Sequence, residues 1–417
     1  MAQLDQLPVE ILGEICSYLC IHCLEPDTAR SSYRRQWKGG RKMQRQRRHA
    51  LAMLCCTSAF LRSIAQPYLY HSLYQGPDTE PDFELFRITK ILTADLGQAV
   101  KRIELHHVVT PPIAKELAAD FARVASRYGI QLAEGWANDE STRSSLVLDL
   151  LLLLARGASV VRLATHPSLS FEHLATVVAS NDGMGVPRLS QLRTVALHWD
   201  CGNDEVVRFQ LDNIAPLLRL APNMNTLVLF CSYALDTDLQ LAGVTTLNVF
   251  RCRLSSIALG KLIESCARLQ VLNVLMSALT YMEGASLVPE SFRASLQKHK
   301  DTLRSLSITM VPNYIYEEAQ SDQDLSDFKK LESLWINVNQ IKPSRTLGTE
   351  NRQRPISDTF LANVLPKSIR RLCLLNYPRV PEVSMLLGLD AALERGGFPH
   401  RHEPVGPEPS VEQGRTP

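Results

Sequence analysis

An apolar residue, two others, an apolar, one other, an apolar: this six-residue pattern returns nine times between residues 100 and 374, and it limits the fold more than any other feature of the chain. The instances are Val100-Ile103-Leu105, Ala158-Val161-Leu163, Leu192-Val195-Leu197, Met224-Leu227-Leu229 and Val244-Leu247-Val249, then Leu269-Leu272-Val274, Leu303-Leu306-Ile308, Leu331-Leu334-Ile336 and Ile369-Leu372-Leu374. By period-two alternation, the fourth and sixth residues of each unit share one face of a strand, and the third, fifth and seventh share the other. Helix-compatible stretches such as 206–220 and 256–266 lie between units. The run 146–155 is too short to span a bilayer, Asp149 interrupts it, and it reads as a buried helix. One strand and one helix cannot bury their apolar sides alone, whereas stacked units bury a continuous core.

Two units continue with apolar or asparagine residues at the offsets of leucine-rich repeats: Cys252 and Leu254 after the fifth, Asn339 and Ile341 after the eighth. The chain therefore resembles leucine-rich-repeat proteins. Its start-to-start spacings run from 20 to 58 residues, against about 20–29 in regular repeats, so several units are long or carry insertions. The resemblance implies an α/β solenoid over residues 100–397, with parallel strands on a concave face and helices outside. A non-solenoid α/β domain with parallel strands is the alternative. On the concave row, Phe230, Phe250 and Leu275 make the centre apolar, with Trp335 further along. Exposed apolar patches mark interaction sites and aromatic anchors dominate binding energy, so these four are the expected target-binding residues. No arginine cluster lines the middle of that row, which weighs against phosphate reading.

The first twenty residues carry a second pattern. In Leu7-Pro8-Val9-Glu10-Ile11-Leu12, a proline stands at a helix start, where its missing N–H is harmless, and Glu10 meets the positive end of the helix dipole. Ile11, Ile15 and Leu19 recur every fourth residue, with Leu12 and Cys16 beside them. Further blocks follow as Ala50-Leu51-Ala52-Met53-Leu54-Cys55-Cys56-Thr57-Ser58-Ala59-Phe60 and Ala65-Gln66-Pro67-Tyr68-Leu69-Tyr70. Together they resemble the F-box, three small helices that dock on the Skp-type adaptor of a cullin-based ubiquitin ligase. The family's docking residues carry over to Leu7, Pro8, Ile11, Leu12, Ile15, Leu54, Cys55 and Phe60. Where the family has a short connection, residues 21–49 intervene. Arg30, Arg34, Arg35, Lys38, Arg41, Lys42, Arg45, Arg47 and Arg48 fall there with no acidic residue between them, and with Gly39-Gly40 in the middle. Such a run reads as a flexible, self-repelling loop, either merely solvated or able to bind nucleic acid or act as a nuclear import signal.

Net charge is only +2, so the basicity is local. The ten cysteines scatter through apolar segments and no charged-then-apolar leader opens the chain, so a reducing compartment, cytoplasm or nucleus, is expected. Cys16, Cys20, His22 and Cys23, with Cys55 and Cys56, are not a paired C-x2-C set, and Cys16 and Cys20 read as helix-face residues, so no metal is expected. His106-His107, His173 and His198 read as structural or surface groups. No nucleophile elbow, phosphate-cradling glycine loop or His-Glu-x-x-His is present, so neither catalysis nor a cofactor is expected.

The expected architecture is α/β: an N-terminal all-helical F-box at 1–75, a linker at 76–99, an irregular leucine-rich-repeat solenoid at 100–397 and a disordered tail at 398–417. Further weakly ordered loops are expected at 317–324 and 342–355. The expected function is substrate recognition for a cullin-type ligase, with a Skp-type adaptor and an unidentified target as partners and no membrane. The alternative is an interaction scaffold outside any ligase, nuclear or chromatin-associated through the basic insertion.

Overall fold

The computed structural model describes residues 4–24, 36–75, 88, 91, 96–105, 113, 115–164, 170–180, 188–198, 209–230, 239–252, 254–276, 294–310, 325–337 and 365–375. Ten strands form one sheet in strict chain order: β1 (Ser72–Gln75), β2 (Arg102–Leu105), β3 (Val160–Ala164), β4 (Thr194–His198), β5 (Thr226–Phe230), β6 (Thr246–Phe250), β7 (Val271–Met276), β8 (Ser305–Met310), β9 (Ser333–Asn337) and β10 (Arg371–Leu375). Every neighbouring pair is parallel. Strands β2 to β10 are the nine units read from the sequence.

The apolar pattern explains the register. Leu73, Ile103, Val161, Val195, Leu227, Leu247, Leu272, Leu306, Leu334 and Leu372 stand opposite one another from strand to strand. The first apolar residue of each unit is buried just before its strand, from Tyr70 and Val100 to Leu331 and Ile369. One backbone carbonyl ahead of each strand then accepts two N–H groups from the next unit. His71 O takes those of Lys101 and Arg102 at 2.9 and 2.8 Å. Lys101, Ser159, Arg193, Asn225, Thr245, Gln270, Arg304 and Glu332 repeat the arrangement in turn.

Helices reach the apolar rows from one face of the sheet. The core cluster joins those rows to Phe121 and Val124 of α5 (Lys115–Arg127), Leu146 to Leu153 of α6 (Glu140–Leu154), Leu174 and Val177 of α7 (Glu172–Ser180), Leu217 of α8 (Ala215–Leu220) and Leu259, Leu262 and Ile263 of α9 (Ser256–Glu264). Polar caps set where these helices begin: Asp139 accepts the Thr142 N–H at 2.7 Å before α6, and Ser255 accepts that of Ala258 at 3.1 Å before α9. From Leu146 onward, α6 is apolar on nearly every side except at Asp149, because the core encloses it. Gly157 lets the chain leave it tightly, since a side chain there would strike the carbonyl of Gln98.

Asp149 is fully buried in the middle of α6. One carboxylate oxygen accepts the backbone N–H groups of His173 and Leu174, each at 3.1 Å, and so caps the first turn of α7 from a neighbouring helix. Burial pushes this carboxyl well above the usual range, against the opposing pull of those two N–H groups.

Four helices precede the sheet: α1 (Val9–Leu19), α2 (Ile21–Leu24), α3 (Gln36–Thr57) and α4 (Ala59–Tyr70). Helices α1, α3 and α4 close a small cluster around Cys16, Leu51, Cys55 and Ala65. Ser58 caps α4 through the Leu61 N–H at 3.1 Å, and Arg62 Nε donates to the Cys55 carbonyl at 2.8 Å, which ties α4 back to α3.

Two expectations need correction. Residues 36–48 of the basic insertion are helix, not a flexible loop, because α3 runs unbroken from Gln36. Arginine, lysine and glutamine are good helix formers, and a helix nucleated on buried Leu51 and Cys55 propagates backward at little cost. Secondly, β1 lies at 72–75, a sheet strand inside the stretch read as helical, hidden because Gln75 replaces the second core-facing apolar residue. Of the expected linker at 76–99, the described residues are structured: Ile88 and Ile91 are buried in the core and Leu96–Ala99 forms a 3-10 turn. The loops at 317–324 and 342–355 and the tail at 398–417 lie outside the described residues, as does His106-His107. Among the described residues, no helix is long and apolar enough to cross a membrane.

Between the ordinary carboxylate range and its raised pKa, Asp149 binds its proton more tightly in the folded protein than in the unfolded chain. Stability therefore falls as pH rises from the ordinary carboxylate range through the raised pKa. Urea unfolding of Asp149→Asn, which keeps an oxygen for both N–H groups, should show that slope flattened. Asp149→Leu orphans both groups and should lose about 1–3 kcal/mol. Identical pH profiles for Asp149→Asn and the parent would contradict this assignment.

Candidate functional site

The residues expected to dock an adaptor divide by exposure. Pro8 stands exposed immediately before α1, where its carbonyl accepts the Leu12 N–H at 3.1 Å. Ile11 and Phe60 are 43% and 42% exposed, and Leu7, Ile15 and Leu54 are half-buried. Leu12 and Cys55, at 3% and 8%, are corrections to the expectation: they face inward. Leu12 lies one turn from Cys16 on the inner side of α1, and Cys55 lies one turn from Leu51 on the inner side of α3. Both hold the helices together and present no surface.

Among the described residues, the exposed large apolar side chains are Leu4, Val9, Ile11, Tyr18, Met43, Met53, Phe60 and Ile257. All but Ile257 belong to the N-terminal helical unit. The sequence reading left out Leu4, Val9 and Met53 because a motif match names conserved-looking positions and not the outward side of each helix.

On the sheet face opposite the helices, Phe230, Phe250 and Leu275 are register neighbours in β5, β6 and β7. All three are half-buried, and the two phenyl rings lie 6.5 Å apart at 56°. Trp335, also half-buried, is not part of this row. It sits in β9, three strands from β6 or about 14 Å away, in the row of Asn248, Asn273 and Ser307. Asn273 donates to Asn248 Oδ1 at 2.5 Å beside the aromatic row on the same face. Toward the N-terminal edge the same face is charged, with Glu104 held between Arg102 at 2.7 Å and Arg162 at 3.7 Å. His198, at the end of β4, is buried, and His173 spends its backbone N–H on Asp149.

Arg251 was not anticipated. It follows β6 with φ at 52°, a left-handed backbone pinned by its N–H to the Leu275 carbonyl at 2.5 Å. This bend carries the guanidinium to 5.9 Å from the centre of the Phe230 ring. A positive φ on an arginine leaves no mark in a sequence.

A third constellation lies where the N-terminal helices meet the sheet. Cys20, His22, Cys23 and His71 turn one ligand-capable atom each toward a common centre, all within 4.8 Å of one another. His71 Nδ1 is 3.6 Å from both Cys20 Sγ and Cys23 Sγ, and Cys23 Sγ is 3.8 Å from His22 Nδ1. Cys20 is not on a helix face: it closes α1, its N–H bonded to the Cys16 and Ser17 carbonyls. Burial, followed by the neighbouring His22 and Lys101, pushes His71 down to about 4, so its ring is neutral at neutral pH. The sequence reading missed this group because Cys20 and Cys23 form one C-x2-C pair without a second pair near it in the chain, and His71 lies 48 residues beyond Cys23.

The burial pattern separates Leu12 from Ile11 in stability. Leu12→Ala should cost about 2–4 kcal/mol in chemical denaturation, as a buried truncation does, and Ile11→Ala about 0.5 kcal/mol, as at a surface. Equal losses would show that both side chains are packed. Compared against known protein families, the chain has no match. A search of curated proteins finds no significant match either.

Proposed function

We propose that this chain recruits a target protein to a cullin-type ubiquitin ligase, with helices α1 to α4 acting as an F-box that docks on a Skp-type adaptor. The carrying observation is where exposed apolar surface collects. Seven large apolar side chains, Leu4, Val9, Ile11, Tyr18, Met43, Met53 and Phe60, stand out from one small helical unit whose own core is already closed. Soluble surfaces of this kind serve as interaction sites. The sheet offers almost no such surface among its described residues, and from these helices its continuous core takes only the end of α4, Leu69 and Tyr70.

In this reading the sheet is an irregular leucine-rich-repeat solenoid. Strict chain order, parallel pairing and helices on one face support it. The opposite face is then concave and presents Phe230, Phe250, Leu275 and Arg251 to a target, with Trp335 as a separate contact. The chain itself performs no chemical step. It raises the effective concentration of its target beside the transfer site, in the cytoplasm or nucleus.

Two arms test this. The full chain should co-purify with a Skp-type adaptor, and Ile11→Asp with Phe60→Asp should weaken that complex by more than about thirtyfold, as loss of a binding hot spot does, with unchanged thermal stability. A chain that captures no adaptor sinks the reading. Phe230→Ala with Phe250→Ala should abolish ubiquitination of the target while adaptor binding persists, and unaltered ubiquitination would remove the aromatic row from target recognition.

A further inference from the structure

We propose that Cys20, His22, Cys23 and His71 form a binding site for one zinc ion, which fastens the N-terminal helices to the first strand of the sheet. The distances match the ion. Zinc bonds of about 2.3 Å to sulfur and about 2.0–2.1 Å to nitrogen, at tetrahedral angles, put sulfur and nitrogen about 3.6 Å apart. Cys20 and Cys23 each stand 3.6 Å from His71 Nδ1, and Cys23 stands 3.8 Å from His22 Nδ1. Four atoms mutually within 4.8 Å leave a centre that a single ion reaches with small side-chain adjustment.

The chemistry of the set selects the metal. Two thiols and two imidazoles suit zinc, whereas magnesium and calcium require oxygen ligands, and no carboxylate belongs to this group. Two other buried cysteines show what a packing cysteine looks like here. Cys252 and Cys266 lie in the sheet core among aliphatic side chains, each with its thiol on a backbone carbonyl of its own segment. Cys20 and Cys23 instead converge on imidazoles. Exposure is graded across the cluster, from buried Cys20 through half-buried His22 and His71 to exposed Cys23. That open side admits an ion without unfolding the rest.

Local structure holds the ligands in place. Cys20, between α1 and α2, and His22 and Cys23, within α2, bring three ligands together in four residues. His71 follows the last turn of α4, its N–H on the Tyr68 carbonyl at 3.3 Å, and its own carbonyl carries the N–H groups of Lys101 and Arg102. An ion here closes a 48-residue loop that contains the basic helix α3. It would also fix the residue from which strand pairing begins. The site does not depend on what the exposed apolar surface binds.

The test uses the full chain produced with zinc in the medium. Metal analysis should find one zinc per chain. Chelation should lower the melting temperature, and cobalt in place of zinc should give the visible bands of a tetrahedral thiolate site. Cys20→Ser replaces a buried group and can fail to fold, so Cys23→Ser and His22→Ala at the open side are the informative variants. Each should weaken metal affinity by more than about a hundredfold, since losing a mere supporting hydrogen bond costs about 10–100-fold. Cys56→Ser, an exposed cysteine outside the cluster, should retain the zinc. A zinc-free parent without cobalt bands, retention of zinc by the Cys23→Ser/His22→Ala double variant, or a Cys20–Cys23 disulfide in freshly purified protein would each overturn the site.

Discussion

Each strand of this protein is aligned by a single backbone carbonyl that accepts two N–H groups from the unit that follows. The repeated bond fixes register before any side chain is considered, and register decides which side chains are buried. A slip of one residue would turn Leu227 and Leu229 outward and Thr226, Val228 and Phe230 inward. The stacked rows from Leu73 to Leu372 follow from that alignment, and so does the helical layer packed on them. Polar groups that would otherwise be stranded inside this layer are used as fasteners. Asp149 joins α6 to α7, and His299 Nε2 meets the Ile263 carbonyl at the end of α9 at 3.0 Å.

Strands β2 to β10 were legible because each carries two apolar side chains in alternation, preceded by a third. Strand β1 was not, since Gln75 breaks the alternation and Tyr70 looks like the end of a helix, which it also is. Helix α3 was misread for the opposite reason. Local charge and paired glycines argue against a helix, but packing of Leu51 and Cys55 some distance along the chain decides the matter. Periodicity put Ile11 on an apolar stripe of α1, yet could not say which side of that helix looks inward. That choice rests on α3 and α4, which come later in sequence.

The cysteine and histidine cluster shows the same limit from another side. Cys20 and Cys23 are adjacent on the page, but the imidazole that completes their geometry arrives only after three helices have folded back on α1. His71 also begins the run of shared carbonyls, so its ring belongs to the helical unit and its backbone to the sheet. The junction between the two parts of the protein is therefore a residue with two partners, where sequence composition suggests only a boundary.

Phe230, Phe250 and Leu275 are separated by 20 and 25 residues in the chain, yet each is one strand from the next, about 4.8 Å. Whatever length of sequence lies between two units, the sheet returns the chain to the same interval. The molecule thus behaves as a ruler: its divisions are set by hydrogen bonding and stay constant while the intervening text is lengthened or rewritten. Chemical character at each division can be changed one residue at a time without moving the others.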